Sequence, residues 1–148
     1  MANVVRKDWL WLTFPIILGL LLRLPRLGEF GNNYYTATVK SMTLSWSNFF
    51  YGSFDPSGLV MVDKPPAAFW LQSLPGLLLG VADWSVTLPQ FIMGIVSIPL
   101  IYFIVRRTFG RIAGIVSASV LAVLPASVII DTRNEPDALV AFCLLLAA

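Results

Sequence analysis

Two long stretches without a charged side chain constrain this chain more than any other feature of its sequence. One runs from Trp84 to Val105 and the other from Ile112 to Ile130. A helix needs about 20 mostly apolar residues to cross the hydrocarbon core of a bilayer, and both stretches reach that length. Only 12% of the residues are charged, against about 25% in an ordinary soluble domain. The sequence therefore predicts an integral membrane protein with spans at about 84–105 and 112–130.

Two further apolar segments lie closer to the N-terminus. Segment 9–26 follows Arg6 and Lys7 but leads into Arg23 and a proline, not into the small residues of a signal-peptide cleavage site. It predicts an uncleaved membrane anchor, with Arg23 reaching out to the interface. Segment 65–80 opens with Pro65-Pro66 and also contains Pro75 and two glycines, which favours a helix lying in the membrane interface over a full span.

The last segment, 137–148, begins another apolar helix. At about 1.5 Å per residue it is too short to cross a bilayer, and a helix that ends in hydrocarbon leaves backbone carbonyls unpaired. We therefore expect the sequence to be the N-terminal part of a longer protein.

Basic residues near the spans set the expected orientation, because Lys and Arg favour the cytoplasmic side. These residues are Arg6 and Lys7 before the first span, and Arg106, Arg107 and Arg111 between the two clear spans. The N-terminus is then cytoplasmic, and 27–83 forms a long extracytoplasmic loop of a multi-pass cell-membrane protein. A net charge of +2 gives no reason to expect a nucleic acid partner.

The carboxylates are segregated to the predicted outer side, except for Asp8. They are Glu29, Asp55, Asp63, Asp83, Asp131, Glu135 and Asp137. Either the outer loops are simply polar or these residues form a site at the outer membrane face. Because the chain contains no His, acid–base chemistry there would depend on carboxylates.

Three segments of the outer side carry the candidate residues. Segment 32–50 has apolar residues at spacings of three and four, which predicts a helix that lies on the membrane or packs against its neighbours. In Asp63-Lys64-Pro65-Pro66 the prolines fix Lys64 before a helix start, where anions are favoured. Lys64 then binds a phosphate, or the motif is a helix start with a solvated Asp–Lys pair. In 131–137, Arg133 can pair with a phosphate, and Asp137 either joins the site or caps a helix.

The order and spacing of these motifs resemble the GT-C membrane glycosyltransferases. The resemblance is to the relatives of dolichyl-phosphate-mannose protein mannosyltransferase and aminoarabinose transferase, and above all to bacterial family 39 glycosyltransferases. The matching stretches are Asn33-Tyr34-Tyr35, Val39 to Met42, Ser45 to Pro56, Val62 to Pro66, Phe69 to Gln72, Leu88-Pro89-Gln90, Val105 to Gly110 and Arg133 to Ala138.

The resemblance implies an all-α polytopic fold and transfer of a sugar from a polyprenyl-phosphate donor at the outer face. The acceptor would be a glycan, lipid or protein of the cell envelope. In this family Lys64 would hold the donor phosphate with Arg133 as second anion partner, and Tyr34 and Tyr35 would line the sugar pocket. A carboxylate would deprotonate or orient the acceptor hydroxyl.

One departure concerns that carboxylate. Many relatives carry an Asp-Glu pair where this chain has Gly31 and Asn32, so Asp55 and Asp63 are the nearest candidates for the catalytic base, with Asp63 slightly favoured. A divalent cation is compatible with the outer carboxylates, although no metal ligand is assigned. The alternative to an enzyme is a small membrane protein, or a truncated product, that binds lipid or assists assembly.

Overall fold

The computed structural model describes residues 2–29 and 31–148, with side chains from residue 10 onward. The side chains of Arg6, Lys7 and Asp8, which bear on orientation, lie outside this part. The helices are α1 (Ala2–Arg23), a 3-10 turn (Leu24–Arg26), α2 (Asn33–Met42), α3 (Trp46–Tyr51), α4 (Ala67–Leu79), α5 (Asp83–Val123), α6 (Pro125–Asp131) and α7 (Asp137–Ala147). The described residues contain no strand beyond a single bridge between Ser53 and Met61, which confirms the all-α class.

Helix α5 is the one described helix that is both long and apolar enough to cross a membrane. It contains a break at Gly110, whose φ of 86° lies in the region that only glycine adopts readily. A methyl group built on Gly114 would come within 2.9 Å of the Tyr102 ring, so the two arms, 83–109 and 111–123, pack side by side. The first arm alone is about 40 Å long at 1.5 Å per residue.

The second arm ends earlier than the predicted span 112–130. Leu124 has an extended ψ of 118°, as the residue before a proline prefers, and Pro125 begins the short helix α6. Proline has no backbone N–H, so it cannot continue the hydrogen bonding of the arm. The charge-free stretch therefore forms two helices with a break between them.

Helix α1 packs on α5 through a cluster of buried apolar residues. The cluster comprises Leu12, Ile98, Tyr102, Ala118 and Ala122. Small residues on the second arm allow this close approach.

The interfacial position predicted for the Arg23 side chain is wrong. Arg23 is completely buried, and its Nε lies 2.9 Å from Oδ2 of Asp131. An arginine within an apolar bundle is stable only with partners, and no local sequence pattern indicated that Asp131 would be one. The ion pair joins the end of α1 to the end of α6.

Segment 32–50, predicted to lie on the outer side, contains two helices instead of one. α2 ends at Met42, and Ser45 begins α3 by accepting a hydrogen bond from the Asn48 backbone N–H at 3.1 Å. Serine is a preferred N-cap, so this residue breaks the apparent periodicity. Helices α2 and α4 bury a second apolar cluster, formed by Tyr35, Val39, Met42, Val62, Phe69 and Val86.

Candidate functional site

The N-terminal ends of α2 and α7 come together at the buried side chain of Asn134, next to the second turn of α4. Its Oδ1 accepts from the Asn32 backbone N–H at 2.6 Å, and its Nδ2 donates to the Asn32 carbonyl at 3.1 Å. The backbone carbonyl of Asn134 accepts a hydrogen bond from Nε2 of Gln72 in α4 at 3.2 Å. Asn134 thereby ties the turn before α7 to both other helices.

Two tyrosines project from the first turn of α2. Asn32 caps this helix by accepting from the Tyr34 backbone N–H at 3.1 Å. Tyr34 is 37% exposed and stacks on Phe54, with ring centroids 4.7 Å apart. Tyr35 is only 6% exposed and packs against Phe69 of α4. Of the two residues predicted to line a sugar pocket, Tyr34 is the one that presents a face to a ligand.

Three carboxylates act electrostatically on the Tyr35 hydroxyl. The pKa of Tyr35 is raised above its usual value, first by burial and then by the negative charges of Asp63, Glu135 and Asp137. Asp63 precedes α4, whereas Glu135 and Asp137 share a segment about 70 positions further along the chain, so the fold brings them together. Tyr35 keeps its proton at neutral pH and is available as a hydrogen-bond donor.

A closed loop, 52–62, precedes Asp63 and Lys64 and fixes where they lie. The Val62 backbone N–H donates to the Gly52 carbonyl at 2.9 Å, which brings the two ends of the loop together. Gly52 has a φ of 65°, which suits glycine at the turn out of α3. Asp63 and Lys64 are both exposed and make no hydrogen bond or ion pair with a described residue. Both are therefore open to a ligand.

Asp55 has a different environment within the same loop. Its carboxylate accepts from the Ser57 hydroxyl and, at 2.5 Å, from the Val60 backbone N–H. These hydrogen bonds, with the one from Ser57 strongest, lower the pKa of Asp55 to about 2. A carboxylate that holds its proton so weakly is a poor proton acceptor at neutral pH, and Asp55 is not among the acids that act on Tyr35.

The turn between α6 and α7 places the other predicted residues. Arg133 is half-buried in this turn, and Asp137 is exposed at the first position of α7. Glu135, which was not predicted as a site residue, lies between them and accepts from Nδ2 of Asn32 at 3.4 Å. Its position within the run from Asp131 to Asp137 was the only sequence signal for it.

Asp83 is a second carboxylate that the site prediction omitted. The Thr36 hydroxyl donates to its Oδ1 at 3.0 Å and accepts from Nδ2 of Asn134 at 2.9 Å. Hydrogen bonds therefore run from Asp83 through Thr36 to Asn134. Gly31 leaves room for this carboxylate, since a methyl group there would lie 2.9 Å from Oδ1 of Asp83.

The arrangement is suited to binding an anion beside carboxylates. Helix N-termini carry partial positive charge and unpaired N–H groups. Lys64 adds a full positive charge three residues before α4 begins. Among the described residues no group of three or more His, Cys, Asp or Glu side chains is arranged to hold a metal ion. The geometry thus offers phosphate binding, hydrogen-bond donation by tyrosine and proton acceptance by a carboxylate.

Comparison with known proteins finds one matching family profile and similar proteins from Bacillus subtilis. A family profile described as "Dolichyl-phosphate-mannose-protein mannosyltransferase" matches residues 63–148. The chain is 48% identical over 117 residues to "Putative mannosyltransferase YycA" of Bacillus subtilis (strain 168), a match that covers 79% of this chain and 17% of that protein. It is 45% identical to "Putative mannosyltransferase YkcB" of the same strain, covering 78% of this chain and 16% of the relative. No solved structure matches the chain.

The family match starts at Asp63 and includes Lys64, α4, both arms of α5 and the turn that carries Asn134. It confirms the resemblance seen in the sequence motifs. The two relatives extend the similarity over most of the chain, while the chain spans about a sixth of their length. This chain therefore belongs to the dolichyl-phosphate-mannose-protein mannosyltransferase family.

Proposed function

We propose that this chain forms the donor-binding part of a glycosyltransferase that moves a sugar from a polyprenyl-phosphate carrier to an acceptor at the extracytoplasmic membrane face. The observation that carries the proposal is that Tyr35 in the first turn of α2 packs on Phe69 in the first turn of α4, which exposed Lys64 precedes. Asn134 joins the start of α7 to the start of α2. Helix N-termini and a lysine both favour a phosphate group. The family supplies the glycosyl-transfer chemistry.

In this proposal Lys64 and Arg133 bind the donor phosphate, and Tyr34 lies against the sugar. The sugar bond to the phosphate breaks as the acceptor oxygen attacks, and the lipid phosphate leaves with the negative charge that Lys64 balances. Asp63 accepts the proton of the acceptor hydroxyl, because it is exposed, unbonded and close to Tyr35. Tyr35 stays protonated and orients an oxygen of donor or acceptor.

The apolar surroundings fit a lipid-linked donor. Exposed Leu44, Trp46 and Leu77 lie beside the outer helices α3 and α4, and a shallow apolar groove of about 310 Å³ between those helices involves the same residues. Tryptophan prefers the membrane–water interface. Such a surface would rest on membrane lipids while the charged site faces water, with the N-terminus of the chain on the cytoplasmic side.

The test is sugar transfer by the full-length protein in vesicles, from a polyprenyl-phosphate sugar, with Lys64→Ala compared with Lys40→Ala. Lys40 is exposed near the end of α2, at the far end of that helix from Tyr34, and serves as the matched control. We expect Lys64→Ala to lower transfer by about tenfold or more, equivalent to roughly 1.4 kcal/mol, and Lys40→Ala to leave it unchanged. Equal transfer by both variants, at equal membrane content, would refute the role of Lys64.

A further inference from the structure

The Arg23 guanidinium satisfies all of its donors inside the bundle. Arginine has five N–H groups. Nε donates to Asp131, Nη1 to the carbonyls of Ala122 at 2.7 Å and Gly19 at 3.5 Å, and Nη2 to the Leu121 carbonyl at 3.3 Å and the Ser127 hydroxyl at 2.9 Å. The side chain is completely buried. Its orientation is therefore fixed by contacts in every direction.

Two of the three carbonyls that Arg23 binds, those of Leu121 and Ala122, lie just before the break at Leu124. In an unbroken helix the Leu121 carbonyl would accept from the N–H of residue 125, but that residue is Pro125 and has none. The extended Leu124 also carries the chain away from the helix axis. An unpaired carbonyl in an apolar bundle is costly, so Arg23 stabilises this specific break and the direction in which α6 leaves it.

Asp131 is held just as tightly at the other end of α6. Its Oδ2 accepts from Arg23 Nε at 2.9 Å and from the Ser127 hydroxyl at 3.0 Å. Gly94 on the first arm of α5 provides the space, because a methyl group there would overlap the Asp131 carboxyl. The ion pair, Ser127 and Gly94 thus lock α6 between α1 and α5.

The residues that follow Asp131 enter the candidate site directly. The Thr132 carbonyl accepts from the Gly28 backbone N–H at 3.1 Å. Two residues later Asn134 pairs with the backbone of Asn32 in front of α2. Arg133 and Glu135 therefore take their places from a segment, 132–136, that is anchored at its start by the ion pair.

A buried ion pair is weak evidence for stability, since well-packed apolar residues often replace one without loss. Its more distinctive effect is to select one geometry. We propose that Arg23 and Asp131 are positioning residues that fix segment 132–136 against α2 and so set the affinity of the outer site for the donor. The affinity part rests on the proposed function, whereas the positioning part stands on the contacts alone.

The experiment uses the full-length protein in nanodiscs with Asp131→Asn and Ser127→Ala. Ser127→Thr keeps the hydroxyl and is the conservative variant. Gly110→Ala strains the turn between the arms of α5, where φ is 86°, and controls for a loss of stability alone. Two quantities are measured on the folded fraction: the KM for the lipid-linked sugar, and the backbone hydrogen exchange of residues 132–136.

We expect Asp131→Asn to raise the donor KM roughly tenfold, because a loosened segment 132–136 no longer holds Arg133 in place for the donor phosphate, and a tenfold loss of affinity corresponds to about 1.4 kcal/mol. Ser127→Ala should raise it less, Ser127→Thr and Gly110→Ala should not, and faster exchange in 132–136 should accompany each rise. If both Asp131→Asn and Ser127→Ala left the KM and the exchange of 132–136 at wild-type values, the inference would be overturned. If Asp131→Asn did not fold, the comparison of Ser127→Ala with Ser127→Thr would decide.

The proposed function and the positioning role of Arg23 and Asp131 are refuted by different results. Absence of transfer by the wild-type protein would count against the proposed function, while the exchange measurement would still test the positioning of 132–136. Normal transfer with unchanged exchange in the variants would refute the positioning role and leave the proposed function in place.

Discussion

Asp55 and Asp63 lie eight positions apart on one loop, yet their surroundings assign them different roles. Asp55 accepts hydrogen bonds from Ser57 and Val60 and braces the loop. Asp63 makes no such bond and acts on the hydroxyl of Tyr35. Sequence spacing alone left both as candidates for the base, because neither the turn at 55–60 nor the position of Tyr35 could be seen in it.

Replacing each aspartate by asparagine separates the two roles. Asp63→Asn removes the proposed proton acceptor and should lower transfer by about 10²-fold or more, the usual contribution of a general base. Asp55→Asn keeps an oxygen for the Val60 N–H and should leave transfer within about twofold. Initial rates of both variants at equal protein content check this. A large loss with Asp55→Asn and none with Asp63→Asn would reverse the assignment.

The low pKa of Asp55 also predicts an acid-sensitive loop. The hydrogen bonds that lower the pKa to about 2 favour the charged form, so their stabilising effect is complete above the unfolded pKa of about 4. It is lost as the pH falls through about 2. Proteolysis by pepsin within 55–60 should therefore increase between pH 4 and pH 2 more in the wild type than in Asp55→Asn, which has no carboxylate to titrate. An equal increase in both proteins would contradict this.

Asn134 makes the most demanding set of contacts in the site. It is completely buried, and its side chain bonds to both backbone groups of Asn32 and to the Thr36 hydroxyl. Asn134→Ala leaves these groups unpaired, at a cost of roughly 1–3 kcal/mol for each that stays buried. We expect a lower melting temperature and loss of transfer. Thr132→Ser, which keeps the neighbouring hydroxyl, is the control. If Asn134→Ala melted at as high a temperature as Thr132→Ser, the stabilising role of Asn134 would be refuted.

At the scale of helices, composition predicted the elements better than their breaks. The charge-free stretches correctly indicated helices, and the basic run near Arg107 marked the turn at Gly110. The Ser45 cap and the Leu124–Pro125 break were not predicted, because apolar periodicity continues across both. The burial of Arg23 was not predicted for another reason: its partner Asp131 lies 108 residues away, and nothing local connects them.

Gly94 tests how closely the helices must approach. A methyl group there would overlap Asp131, so Gly94→Ala must displace α6, which costs roughly 1–3 kcal/mol as other overpacked sites do. Ile92→Ala, on the exposed face of the same helix, should cost far less. Melting temperatures of the two variants in detergent check the difference. A Gly94→Ala protein as stable as Ile92→Ala would mean that α6 is not locked against α5.

For the whole molecule, the proposed orientation places α2 outside and the Gly110 turn inside. Single cysteines at Lys40→Cys and Thr108→Cys, in a Cys143→Ser background, report the side of the membrane. A membrane-impermeant thiol reagent should label the cysteine at position 40 in intact cells, and the one at 108 only after the membrane is opened. Labelling of both at the same rate in intact cells would exclude the proposed topology.

In the proposed function, Lys64 and the neighbouring helix N-termini recognise the phosphate of a polyprenyl carrier. The most direct measurement compares the affinity of the full-length protein for polyprenyl phosphate and for the uncharged polyprenol, with wild type, Lys64→Ala and Lys40→Ala. We predict that the wild type and Lys40→Ala bind the phosphate tighter by about tenfold or more, and that Lys64→Ala loses most of this preference. Equal affinity of the wild type for both lipids, or an undiminished preference for the phosphate in Lys64→Ala, would contradict phosphate recognition by Lys64.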